Sequence, residues 1–194
     1  SLGLAARGLG IGVPPPALPE EKRKFAPPGG DKGANNMKIT TLSILVANHY
    51  GVLSRIANLF TRRRLNIKGF SANETENPEI TRITILTDSA DSEVEQIRLL
   101  LEKLEDVLWA RVIPAGHLVG RETILMKLPR EHEAELRALL ARWQGEIVAE
   151  TPRALFLALT DTVEQIEQFI DEVEPYGILE LSRTGGAALE LDPA

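Results

Sequence analysis

A chain of 194 residues has room for one ordinary domain or two small ones, and 43% hydrophobic with 26% charged residues is the composition of a soluble globular protein. A formal net charge of −6 argues against a general nucleic-acid binder, because nothing here would neutralise a phosphate backbone broadly. Cysteine is absent, which excludes thiol catalysis, disulfides and thiolate metal sites. His49, His117 and His132 show no ligand spacing, and no apolar run is long enough to span a bilayer.

Residues 1–36, with Pro14-Pro15-Pro16 and Pro27-Pro28-Gly29-Gly30, lack a hydrophobic period and read as a flexible extension. Met37 looks like an internal start for the folded part. A first strand is predicted at about 38–47, where Leu42, Ile44 and Val46 alternate with Thr41, Ser43 and Leu45. A helix follows at about 51–63, with Val52, Ile56, Leu59 and Phe60 on one face and Arg62-Arg63-Arg64 closing it against the dipole. A strand at about 65–74, a polar turn at Glu76-Asn77-Pro78-Glu79 and a strand through Ile80, Ile83 and Ile85 make a hairpin. The second helix spans about 91–104, with Asp91 as its N-cap, and a strand at about 107–113 ends before Pro114.

The order then repeats. Thr123–Leu128 reads as a strand, Leu136, Leu139, Leu140 and Trp143 mark a helix, and Glu146–Glu150 with Ala154–Thr160 form a hairpin around Pro152. Val163, Ile166, Phe169, Ile170 and Val173 mark another helix, and Ile178, Leu179 and Leu181 a last strand. Two βαββαβ units imply an α+β protein of two tandem ferredoxin-like domains, each an antiparallel sheet with helices on one face. The units are placed at residues 37–114 and 120–185, joined by a short link with two glycines, with 186–194 as a tail, and Gly185-Gly186 reads as the point where the chain frays. Each unit is near the lower limit for a stable core, so pairing with another copy is expected.

No nucleotide-binding glycine motif, metalloprotease helix or nucleophile elbow is present. The carboxylates of Glu93 and Glu95, or of Glu131, Glu133 and Glu135, fall on the polar sides of amphipathic helices. The informative stretch is Asn48–Arg55, where the first strand gives way to the first helix. A glycine there lets the backbone turn sharply and bares helix amides that attract a carboxylate. Asn48 offers both a donor and an acceptor, Gly51 with the amides of Val52 and Leu53 suits the acid end of a small ligand, and Asn66 adds a second amide. Leu53 and Ile67 are its apolar neighbours. A tight turn at Asn48–Gly51, a turn residue at Asn66, and plain core for Leu53 and Ile67 are the other readings.

Residues Leu42–Phe60 and Arg63-Arg64-Leu65-Asn66-Ile67 resemble an ACT domain, and more narrowly the small regulatory subunit of acetohydroxyacid (acetolactate) synthase. Glu74–Ile85 is similar to that family's hairpin, Glu95-Gln96-Ile97 with Lys103–Val107 to its second helix and exit, and Arg121-Glu122 with Leu181–Gly185 to its second domain. The resemblance covers roughly 38–185. It implies a non-catalytic cytoplasmic subunit that dimerises through its ACT domains and binds a branched-chain amino acid, usually valine, at that interface. Asn48, Gly51, Val52 and Leu53 of one protomer with Asn66 and Ile67 of the other would form the effector site. The large catalytic subunit would be the partner and would carry thiamine diphosphate, magnesium and FAD, none of which is expected on this chain. The alternative is a stand-alone ACT-type amino-acid sensor that regulates a different enzyme or transcription.

Overall fold

The computed structural model of the chain describes residues 39–191. The expected extension over 1–36 and the start at Met37 lie outside the described residues. Chain order is β1 (Thr40–Ala47), α1 (Val52–Arg63), β2 (Gly69–Glu74), β3 (Ile80–Thr87), α2 (Asp91–Leu101) and β4 (Val107–Ile113). After a single 3-10 turn at Ala115–His117 come β5 (Leu118–Pro129), α3 (Glu133–Trp143), β6 (Glu146–Glu150), β7 (Ala154–Asp161), α4 (Val163–Val173), β8 (Glu180–Arg183) and β9 (Ala187–Glu190).

Two antiparallel sheets result, ordered β2-β3-β1-β4 and β6-β7-β5-β8, so each half is the βαββαβ arrangement expected from the repeat. Alternation along β1 sends Leu42, Ile44 and Val46 to one face, where Val52, Ile56 and Phe60 of α1 and Ile97 and Leu101 of α2 meet them. The second core repeats this with Ile124, Met126 and Leu128 under Leu136, Leu140, Ile166 and Phe169. Phe169 packs its ring edge-on against Trp143, with ring centroids 5.7 Å apart. Each such fully buried side chain contributes about 1.5–3 kcal/mol, which aliphatic residues supply in a chain poor in aromatics.

Several boundaries differ from expectation, each for a local reason. β2 begins at Gly69 rather than 65, because Arg64 takes a left-handed conformation (φ 55°) and Leu65 donates its amide back to the Phe60 carbonyl at 3.1 Å. That helix-ending loop consumes residues 64–68. Asp91 is not the N-cap of α2: Ala90 occupies that position, and the Glu93 carboxylate accepts the Ala90 amide at 3.3 Å. β8 starts at Glu180, two residues late, because Ile178 packs into the second core.

The largest correction concerns the C-terminal end. Instead of fraying, residues 187–190 form β9, which pairs antiparallel with residues 118–121 and extends β5 beyond the expected 123–128. The chain just before it lies against the first sheet, where the Ser71 hydroxyl donates to the Gly186 carbonyl at 2.8 Å. A Cβ on Gly185 would stand 2.5 Å from the Phe70 carbonyl oxygen, and its φ of +75° is left-handed as well. Only glycine fits there. Thr41, Ser43 and Thr84, which face away from the helices, are buried as well.

The two sequence motifs of the second unit meet in space. Glu122, 2% exposed, receives Nε and Nη2 of Arg183 at 3.0 and 2.6 Å, while Nη1 of Arg183 reaches Glu167 on α4 at 2.6 Å. These hydrogen bonds outweigh burial and hold the Arg183 pKa above its ordinary value. Glu122→Gln leaves a half-buried guanidinium without its main counter-charge, so urea unfolding should show a loss of about 3 kcal/mol. Truncating Phe169 to Ala should cost about 3–5 kcal/mol in the same assay through the cavity it leaves.

Candidate effector site

β1 ends at Ala47, and four residues later Gly51 caps α1 with φ +87° and ψ −8°. A Cβ at Gly51 would meet nothing within 4 Å, so the corner is open rather than plugged. The Val52 amide has only a long bond of 3.5 Å to the His49 carbonyl, and Arg55 is the first residue to bond back to Gly51, at 3.1 Å. The amides of Leu53 and Ser54 find no acceptor among the described residues. α1 has no acid in its first turn and no side-chain cap, so its positive end stands uncompensated.

A groove of about 450 Å³ opens on this corner, bordered by residues 46–54, by Ala72, Asn73 and Glu74 of β2, and by Thr81. Asn48 helps to build the groove wall. Its Nδ2 donates to the Pro78 carbonyl at 2.9 Å and to Glu74 Oε1 at 3.2 Å, and its amide donates to Glu79 at 2.7 Å. It therefore ties the corner to the β2–β3 turn, and its side-chain oxygen is the atom left for a ligand. Below, Arg55 pairs with Asp106, whose carbonyl accepts the Ala47 amide at 2.8 Å.

The groove is amphiphilic. Amides at the helix start suit a carboxylate; Glu74 and the Asn48 oxygen suit an ammonium; Leu53, 47% exposed, offers apolar surface. Glu74 is the residue that sequence reasoning missed as part of the site. Its place at the hairpin was visible, but its approach to Asn48, 26 residues earlier, depends on register.

Asn48, Gly51, Val52 and Leu53 come together at this corner, whereas Asn66 and Ile67 do not join them. The Asn66 carbonyl accepts the Thr87 hydroxyl at 2.7 Å, and Thr87 pairs with Thr40 at the far end of β1. Seven residue steps of strand separate that end from Ala47, about 23 Å. Ile67 is 36% exposed there, so the two halves of the expected site sit at opposite ends of one sheet.

Comparison with known proteins agrees with this architecture. Residues 42–109 match the model of the AHAS small subunit-like ACT domain, and residues 121–192 that of the small subunit of acetolactate synthase. The chain is 37% identical over 151 residues to a probable acetolactate synthase small subunit of Methanothermobacter thermautotrophicus, covering 76% of this chain and 90% of that one. It is 31% identical over 162 residues to the acetolactate synthase small subunit of Mycolicibacterium smegmatis, covering 82% and 95%. The crystal structure of the Thermotoga maritima small subunit superposes with a TM-score of 0.72 at 29% identity, over 81% of this chain and 99% of that one.

Because the Gly51 corner needs a left-handed residue but has free space for a methyl group, Gly51→Ala should lower stability by about 1–2 kcal/mol in thermal unfolding, with the fold retained. With both halves of the repeat matched and relatives covered almost end to end, the chain belongs to the family of acetolactate synthase small subunits, the regulatory and non-catalytic subunits of that enzyme.

Proposed function

We propose that this subunit binds valine at a homodimer contact between ACT domains, and that binding there feeds back on a large catalytic subunit which the free small subunit activates. The observation that carries this reading is the open corner at Gly51, with its unpartnered amides, lying about 23 Å from the exposed Ile67 and Asn66 along the same sheet. One chain cannot close that gap. A second copy, related by a twofold axis, brings its Asn66–Ile67 end to the first copy's corner, and the reverse contact forms a second equal site.

β2 is an edge strand beside the groove, with Phe70 exposed, and such an edge suits pairing between copies. In this arrangement valine places its carboxylate on the Val52 and Leu53 amides and its ammonium against the Asn48 oxygen and Glu74. Its isopropyl group lies between Leu53 and the partner's Ile67. Regulation requires the ligand to favour one state of the complex, and a ligand held by two protomers favours the geometry in which both sets of contacts exist.

The reaction centre, with thiamine diphosphate, magnesium and FAD, belongs to the large subunit in this scheme. Among the described residues no cluster of three or more His, Asp or Glu could hold a metal, and no helix is long and apolar enough to cross a membrane. The ACT unit is assigned to residues 37–114. The complex works in the cytoplasm, in branched-chain amino-acid synthesis.

Subunit mixing tests the split site. Gly51→Asp and Ile67→Asp should each abolish calorimetric binding of valine at the Gly51 corner. In a heterodimer of the two, one site combines both damaged halves and the other combines both intact halves. Random mixing should therefore restore binding to about one quarter of the corner sites. No restoration, in mixtures shown by mass spectrometry to contain heterodimers, would remove the two-chain site.

A further inference from the structure

We propose that the cleft between the two sheets is a second ligand site, built for a small aliphatic amino acid and separate from the Gly51 corner. The cleft is a cavity of about 160 Å³, close to the ~150 Å³ of cavities known to take a six-carbon ring. One wall comes from the first sheet: Thr41 of β1, Leu86 of β3 and Ile113 at the end of β4. The other comes from Leu118 and Arg121 of β5, from the start of α4 and from the chain entering β9. A guest would touch both halves of the molecule at once.

Four independent features mark the cavity as more than a packing gap. The first is Arg121, whose only hydrogen bond is from Nη1 to the neighbouring Gly120 carbonyl at 2.8 Å and which has no ion pair among the described residues. In a chain of net charge −6, a guanidinium left without a carboxylate at a cavity mouth is free for an anion. The second is the N-terminus of α4, an 11-residue helix. Its cap, Thr162, accepts from Gln165 at 3.3 Å, but the amides of Val163 and Glu164 have no acceptor among the described residues, and both residues border the cavity.

The third feature is Thr41, 3% exposed, on the cavity wall, with a hydroxyl that makes no hydrogen bond to any described residue. No buried side-chain nitrogen or oxygen of the described residues lacks a partner, so the Thr41 hydroxyl opens onto the cleft, where a polar guest can meet it. The fourth is Glu164, also on the rim and without an ion pair among the described residues. A cation, free helix amides, an anion and an aliphatic wall of Leu86, Ile113 and Leu118 together describe a zwitterion with a short branched side chain. Its carboxylate would go to Arg121 and the α4 amides, its ammonium to Glu164, and its side chain against the leucines and Ile113. Since the walls belong to different sheets, occupancy would fix their relative position.

Calorimetric titration of L-valine into the full chain carrying Gly51→Asp isolates this cleft from the corner. One site per chain should remain, weakened about tenfold by adding Arg121→Gln and weakened also by the near-isosteric Thr41→Val. Glu164→Gln should weaken L-valine but not 3-methylbutanoate, which lacks the ammonium; a merely structural role for Glu164 would move both or neither. Methyl resonances of Ile113 and Leu118 should shift on titration of the Gly51→Asp chain. No residual binding in Gly51→Asp, or residual binding indifferent to Arg121→Gln, overturns the cleft site while leaving the corner reading intact. If Gly51→Asp titrates like the wild-type chain yet Arg121→Gln removes all heat, the cleft stands and the corner reading falls.

Discussion

A four-stranded sheet has two faces and two edges, and a pair of helices can cover only one face. In the first half of this chain α1 and α2 bury Leu42, Ile44, Val46, Ile83 and Ile85, which leaves the opposite face, with Thr41, Ser43, Thr84, Leu86 and Ile113, to be dealt with otherwise. The solution is the chain's own C-terminal segment. It crosses Phe70 at Gly185, accepts a hydrogen bond from Ser71 at Gly186, and then runs as β9 beside the first residues of β5. Thr41 and Thr84 lie beside it, together with the buried Leu86 and Ile113. The same arrangement leaves β2 at an open edge and leaves a cleft where the sheets diverge. The cleft is thus a consequence of how one face was covered.

The Gly51 corner follows from a different economy. An α-helix starting directly after a strand has amides with no partners, and most helices satisfy them with a side-chain cap. α1 has neither cap nor acidic first turn, and Asn48, which could have capped it, is instead committed to Pro78 and Glu74. That costs stability locally and leaves donors for a ligand. α4 shows the contrast: Thr162 caps it properly, and still two amides remain for the cleft. Both proposals thus place an anion at a helix start, one in each half of the chain.

Much of this was legible from residues alone, because short-range periodicity decides it. The β1 alternation, the spacing of α1 and the hairpin around Pro78 each depend on neighbours within a few positions, and their observed limits fall within a few residues of expectation. What escaped was non-local or conformational. Ala187–Glu190 carry no alternation that announces a strand; they become one because residues 118–121 offer an edge. The delayed start of β2 turns on Arg64 adopting a conformation usually left to glycine. Glu74 was quoted as part of a hairpin, but its role beside Asn48 needed the β2–β3 register.

The second half supplies a reason why the C-terminal segment can hold its course. Arg183 ends β8 and is locked by Glu122 on β5 and Glu167 on α4, two elements of one core. Thr184 then bonds to the Thr123 backbone from both its amide and its hydroxyl, at 3.0 and 3.3 Å, and only after that does the chain turn at Gly185 onto the other sheet. A buried ion pair contributes modestly to net stability, but breaking one is expensive, so it fixes position more than it adds free energy. Here it fixes the departure point of the segment that touches β2, the strand along the Gly51 groove. A displacement of β2 on ligand binding would therefore meet a partner anchored in the second core rather than a loose tail. The contacts run without a gap from groove wall to Phe70 and Ser71, to Gly185 and Gly186, and on to Arg183.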